Sequence, residues 1–338
     1  MPDHSLSGTA DLKNDAVVIV ARHGERLDYI MRDRGENWVQ QQQQVDGVTV
    51  SAASGRPWDT PLTKHGELQA AKLGRQIYRE VVDRNLPPLV AVYSSPFLRC
   101  RQTALAAIQG FKAAMKQSGG VHPPSEIPPL RVELGLAESF NENWYRSWAL
   151  PGADGTWGYG KRDYPQIEDP SLSLHPASLL PVQQLLDWKR DMREDNGGED
   201  EEQLDLAYES VTSISSEYRL RPKLLESRQD QRNRMRKVVS KVGQAGKTVV
   251  LVSHGGPVTH LYESLTGRDW YDGHGDSSYC CYSIYRRSPK QSSHKDQTEL
   301  KDSTEEDIES YWNVLVANAS QYLNEIVVTE RHVSSDNL

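Results

Sequence analysis

In Val17-Val18-Ile19-Val20-Ala21-Arg22-His23-Gly24-Glu25-Arg26, four consecutive β-branched residues run almost directly into an arginine, a histidine and a glycine. Such a run reads as a strand buried on both faces, as at the centre of a parallel sheet. Open α/β sheets bind ligands at the carboxyl ends of their strands, and this end carries polar side chains. Histidine can attack phosphorus as a nucleophile, and arginine presents a fork of donors that fits phosphate oxygens. Standing alone, the tripeptide would read more simply as a charged turn after a core strand.

Further strands end the same way. Leu89-Val90-Ala91-Val92-Tyr93 runs into Ser94-Ser95-Pro96-Phe97-Leu98-Arg99, where serines and a proline signal a helix start, and helix N-termini bind anions. Thr248-Val249-Val250-Leu251-Val252 runs into Ser253-His254-Gly255-Gly256. A short strand-like piece, Leu130 to Val132, leads to Glu133-Leu134-Gly135-Leu136-Ala137-Glu138, and either glutamate could protonate a leaving oxygen. In a parallel sheet these ends share one edge. Two histidines and two arginines would meet there in a cationic pocket suited to a phosphoryl group.

The connections between these strands read as helices and excursions. Thr63 is an expected N-cap, followed by a helix with Ala70, Gly74, Ile77, Tyr78 and Val81 on one face. Met235, Val238, Val239 and Val242 mark the apolar face of another helix within a basic stretch, whose arginines and lysines read as its wet face. Ser277 to Tyr285 and Trp312 to Val316 read as late strands. Residues 1–15 are expected to form a disordered leader and Asp28 to Pro57 a loop containing the glutamine run Gln40 to Gln44. One domain then covers 16–338, with insertions at about 139–225 and 288–310. The first insertion contains Trp144, Tyr145, Trp148, Trp157, Tyr159 and Trp188, and should fold over the ligand-binding edge, packing its own small core or lining a substrate pocket.

Composition narrows the function. The 338 residues are 37% apolar and 25% charged, with a net charge of −8 and a mean hydropathy of −0.68. That balance gives no electrostatic footprint for nucleic acid or an anionic membrane surface. Cys100, Cys280 and Cys281 lack metal spacing and cannot build a disulfide framework. With no apolar leader and no run of membrane-spanning length, a cytoplasmic location is expected. The sequence leaves oligomeric state open, a homodimer included.

Four segments in order, Arg22-His23-Gly24-Glu25-Arg26, Asp59-x-Pro61-Leu62-Thr63-x-x-Gly66, Ser94-Ser95-Pro96-x-x-Arg99-x-x-Gln102-Thr103-Ala104 and Ser253-His254-Gly255, resemble the histidine phosphatase superfamily. The likeness lies in the branch that also holds cofactor-dependent phosphoglycerate mutases. The Glu25-Arg26 pair and the Leu98-Arg99-Cys100 turn are most similar to the phosphatase domain of the ubiquitin-associated and SH3 domain-containing, ecdysteroid-phosphate phosphatase-like group. No segment within these residues fits a ubiquitin-associated or SH3 domain.

The resemblance implies an α/β/α three-layer fold with a mostly parallel sheet. It implies that His23 is the nucleophile that becomes a phosphohistidine, that Arg22, Arg99 and His254 hold the phosphoryl oxygens, and that Arg26 assists from the pocket rim. The family pattern of leucine, one residue, then glutamate selects Glu138 over Glu133 as the proton donor. No cofactor or metal is implied, and the partner is a phosphorylated small molecule or phosphoprotein. Glu25-Arg26-Leu27-Asp28 departs from the mutase pattern, which favours net hydrolysis over phosphoryl transfer within a substrate. A binding module without activity would be expected to lack a member of the set, and arginine beside the histidines opposes a zinc site.

Overall fold

A computed structural model describes residues 14–35, 42–45, 48–51, 60–119, 127–138, 204–205, 207–211, 227–287 and 312–324. In chain order its main elements are β1 (Ala16–Arg22), α1 (Leu27–Asp33), β2 (Gln42–Val45), β3 (Val48–Ser51), α2 (Lys64–Asp83), β4 (Leu89–Ser94), α3 (Leu98–Gln117), β5 (Leu130–Val132), α4 (Arg228–Val242), β6 (Lys247–Ser253), α5 (Gly255–Thr266), β7 (Tyr282–Arg287) and β8 (Trp312–Ala319). A 3₁₀ turn, Leu134–Leu136, follows β5.

Six strands form one sheet in the order β5-β4-β6-β1-β7-β8. The first four run parallel, while β7 is antiparallel to β1 and β8 is antiparallel to β7. Alternate residues of β1 point to opposite layers. Val17, Ile19 and Ala21 pack with Leu73 and Ile77 of α2 and Ile108 and Phe111 of α3. Ala16, Val18 and Val20 pack with Met235 and Val239 of α4 and Leu261 and Leu265 of α5. The molecule is a three-layer α/β/α sandwich, and the unbroken β-branched run arises because both faces of β1 are covered.

Helices α2 and α3 approach backbone to backbone. A Cβ built on Gly74 would stand 1.8 Å from the Ala107 carbonyl oxygen, and one on Gly110 would stand 1.9 Å from that of Ala71. Thr63 caps α2, its side chain accepting from Gly66 N–H at 2.9 Å, as its sequence position predicts. Phe97, not a serine, is the N-cap of α3 and makes no side-chain cap bond. Ser95, two residues before it, bonds instead to His254, and Ser94 Oγ donates to the Ser95 carbonyl.

Several boundaries differ from the sequence reading. Asp28 to Pro57 is not simply loop. It contains α1 and the β2–β3 hairpin, whose ladder uses backbone groups and therefore tolerates glutamine. A helix of seven residues is too short to show periodicity. Asp15, expected in the leader, is buried, pairs with Arg286 at 2.7 Å and accepts from Gly246 N–H. β7 begins at Tyr282 because Cys280 turns with φ +52° and its N–H bonds to the His23 carbonyl. Within the first expected insertion, Leu204 bridges to Leu130 and Asp205 accepts from Arg131 at 2.9 Å, so this part lies along the β5 edge. Residues 1–13, 139–203, 206, 212–226 and 288–311, with the tryptophans of the first insertion, lie outside the described residues.

Candidate active site

Hydrogen bonds carry the sheet past the strand ends and hold the functional residues side by side. His23 N–H bonds to the Ser253 carbonyl at 2.9 Å, Ser95 N–H to that of Val252 at 2.9 Å, and Glu133 N–H to that of Ser94 at 2.8 Å. The loop after β1 is then zipped to the α2 and α3 starts. Gly24 N–H donates to Thr103 Oγ1, Glu25 N–H to Gln69, and Leu62 N–H to Gln102. Glycine is required twice here. A Cβ on Gly24 would lie 2.5 Å from the Gly66 carbonyl oxygen, and one on Gly66 would lie 2.3 Å from that of Glu25. The motif residues Gly66, Gln102 and Thr103 thus fix the backbone that aims His23.

His23 is buried. Its Nδ1 lies 2.7 Å from the Gly24 carbonyl oxygen, which can only accept, so Nδ1 carries the proton and the lone pair lies on Nε2. Burial, and after it Arg99, Arg22 and Arg26, hold the imidazole pKa well below its ordinary 6.5. The ring is neutral at physiological pH.

His254 is also buried, with its ring centroid 5.3 Å from that of His23. Both of its nitrogens are engaged. Arg99 Nη2 lies 3.1 Å from Nδ1, and Ser95 Oγ lies 2.8 Å from Nε2. A guanidinium only donates, so Nδ1 accepts and Nε2–H donates to Ser95. Burial, then Arg99 and His23, keep this histidine neutral as well. The Phe97 ring meets it edge-on at 4.9 Å and also lies under Arg99, while Cys100 Sγ is 3.5 Å from Nε2.

The arginines are held in different ways. Arg22 donates from Nη1 to the Ser277 carbonyl and lies 4.4 Å from the Tyr279 ring centre. Arg26, expected at the pocket rim, is instead 2% exposed and makes a two-point pair with Asp28, each bond 2.6 Å. Burial opposes its charge most strongly, but Asp28, Tyr29 and Tyr279 together outweigh it and raise the guanidinium pKa. It acts on the site as a fixed buried cation. Thr60 donates to the same Asp28.

The two glutamates have separate environments. Glu133 is wholly buried, and its carboxylate accepts from Gly135 N–H, Ser210 Oγ, Tyr208 OH and Val211 N–H at 2.6–2.8 Å. It fastens the 208–211 segment to the sheet edge. Glu138 turns toward the histidines, with Oε2 3.4 Å from His254 Nδ1 and 3.9 Å from Arg99 Nη2, and is 19% exposed. The geometry therefore brings Glu138 into the constellation and keeps Glu133 out of it.

Sequence reasoning passed over Arg234 and the role of Ser95. Arg234 is 2% exposed, not on a wet face. Its guanidinium donates to the carbonyls of Gly135 at 2.6 Å, Ala137 at 3.1 Å and Glu138 at 3.4 Å, shaping the turn that presents Glu138. The available signal was position: Arg234 lies four residues before Val238, on the apolar stripe of α4. Among the described residues, no group of three or more His, Cys, Asp or Glu is arranged to hold a metal ion. Among them, too, no helix is long and apolar enough to cross a membrane.

The model of the histidine phosphatase superfamily (branch 1) matches residues 18–121 and 185–298, and the chain belongs to that superfamily. Ecdysteroid-phosphate phosphatase of Drosophila melanogaster is 28% identical over 160 residues, covering 40% of this chain and 20% of that protein. The match thus spans about a fifth of that relative's length. The chain is also similar to the solved ecdysone phosphate phosphatase of Bombix mori in complex with tungstate (18% identity, 85% of this chain and 98% of that one, TM-score 0.45). A mycobacterial glucosyl-3-phosphoglycerate phosphatase shows 19% identity over 90% of this chain and 100% of that one, with a TM-score of 0.42.

Proposed function

We propose that this protein is a phosphomonoester hydrolase that works through a phosphohistidine on His23. The observation that carries the reading is the buried His23 ring, whose Nδ1–H is tied to the Gly24 carbonyl so that the Nε2 lone pair is free among three arginines. In the first step Nε2 attacks phosphorus, the bond from phosphorus to the ester oxygen breaks, and the Glu138 carboxyl gives its proton to the leaving alcohol. In the second step Glu138 takes a proton from water as the water oxygen attacks phosphorus. The P–N bond breaks, inorganic phosphate leaves, and His23 is neutral again.

Arg22, Arg99 and His254 surround the equatorial oxygens, where charge is spread in the transition state. Arg26 adds to the field from behind. Ser95 has a further part, because a hydroxyl can accept from or donate to His254 Nε2. His254 can therefore offer a lone pair or a proton at Nδ1 as the phosphoryl group arrives. The substrate is a phosphorylated small molecule or protein. Rapid quench of wild-type protein with a ³²P-labelled monoester should trap one phosphate on His23, labile to acid and stable to base. A label of the opposite stability, or one retained by His23→Ala, would overturn the mechanism.

A further inference from the structure

A cleft of about 510 Å³ opens beside Arg22, between the start of α5, the start of α4 and the segment that leads to β7. Its wall includes Arg22, Arg228, His260, Trp270, Asp276 and Ser277. Gly255 and Gly256 also face it as the first residues of α5, after His254, whose side chain makes no cap bond. Their N–H groups have no intrahelical acceptor. A Cβ on Gly255 would stand 3.4 Å from the Arg22 guanidinium carbon and from Nε, so the helix start lies against this arginine. Arg22 Nε is buried and has no hydrogen-bond partner among the described residues. Arg228 is exposed at the first position of α4 and makes no ion pair among them.

These groups are nearly all donors. Two arginines and two backbone amides face one carboxylate, that of the exposed Asp276, while the Ser277 hydroxyl donates to Thr259 and Trp270 supplies an apolar wall. Such a lining favours an oxyanion joined to a carbon chain. Arg22 belongs both to this cleft and to the phosphoryl site, so a molecule filling one reaches the other.

We propose that the cleft is a second anion-accepting subsite, filled by a carboxylate or phosphate tethered to the alcohol portion of the substrate. The inference rests on the hydrolase reading above and narrows it to phosphomonoesters that carry a second anionic group.

The test compares n-butyl phosphate with 4-(phosphonooxy)butanoate and butane-1,4-diol bisphosphate, whose leaving alcohols are close in basicity. The full chain should prefer both doubly anionic esters by about tenfold in kcat/KM, mainly through KM, the scale of one charge-assisted bond at a half-open site. Arg228→Ala should bring that ratio close to one, and Asp276→Asn should raise it. Hydrolysis of butyl phosphate with no preference for the charged esters would overturn the subsite and leave the hydrolase reading intact. Failure to hydrolyse any of the three would overturn both. If free butanoate stimulates butyl phosphate hydrolysis, the cleft belongs to a separate effector and the tethered reading is wrong.

Discussion

The ends of β1 and β6 each carry a buried neutral histidine, yet the two rings are wired differently. His23 has one nitrogen tied to a carbonyl and the other unengaged by any hydrogen bond to a described residue, whereas His254 is held at both nitrogens by Arg99 and Ser95. Burial and the same arginines depress both pKa values. The environment therefore makes both rings neutral, and hydrogen bonding separates their roles. One presents a lone pair for bond formation, and the other is a poised donor or acceptor.

Substitutions should bring out this asymmetry. His23→Ala should lower kcat/KM by about 10⁵-fold or more, the scale of losing a covalent nucleophile. His254→Ala, like Arg22→Ala and Arg99→Ala, should cost only about a hundredfold, as for one preorganised donor. Equal losses at the two histidines would erase the distinction drawn between them.

Glu138 serves the His254 side of the site, and its replacement sharpens the comparison. Glu138→Gln should cost about 10²–10⁴-fold on an alkyl phosphate and far less in the first step on p-nitrophenyl phosphate, whose leaving group needs no proton. A burst should appear as phosphoenzyme accumulates. Glu133→Gln should instead lower the urea midpoint, because an amide cannot accept all four bonds the carboxylate receives. Wild-type kinetics in Glu138→Gln, with a burst in Glu133→Gln, would exchange the two assignments.

In the proposed mechanism neutral His23 attacks, so on the acid side activity should fall as pH drops through its depressed folded pKa, well below 6.5. Removing a neighbouring cation raises that pKa. Arg99→Ala should therefore move the acid limb of the kcat/KM profile upward in pH, and an unmoved limb would exclude His23 as its source. The smallest effect is expected at Ser95. Ser95→Ala should lower kcat/KM by about tenfold and change the ¹⁵N shifts of His254, while Ser95→Thr should restore both. Unchanged shifts in the alanine variant would deny Ser95 a hold on the tautomer.

Strands β1, β4 and β6 were legible because both faces of each are covered, which leaves a continuous apolar run. The cationic cluster was legible because each run ends in its functional residue. The glutamate choice needed the resemblance, since the 134–136 turn, not the strand register, aims Glu138. Arg26 was misplaced because its partner lies only two residues away, a spacing that does not pair on a regular helix face. Arg234 was missed because composition favours a wet face in a basic helix. Its carbonyl acceptors come from residues almost a hundred positions earlier, which periodicity does not reveal.

The fastening of residues 204–211 to Leu130 and Glu133 also bears on how this fold can be re-engineered. The framework continues to Glu138 beside His254 and resumes at Leu204 beside the start of β5. For a flexible replacement, doubling the length costs only about 0.6 kcal/mol in closure entropy. A replacement segment of different length joined at Glu138 and Leu204 should therefore change stability only slightly, which urea unfolding would measure.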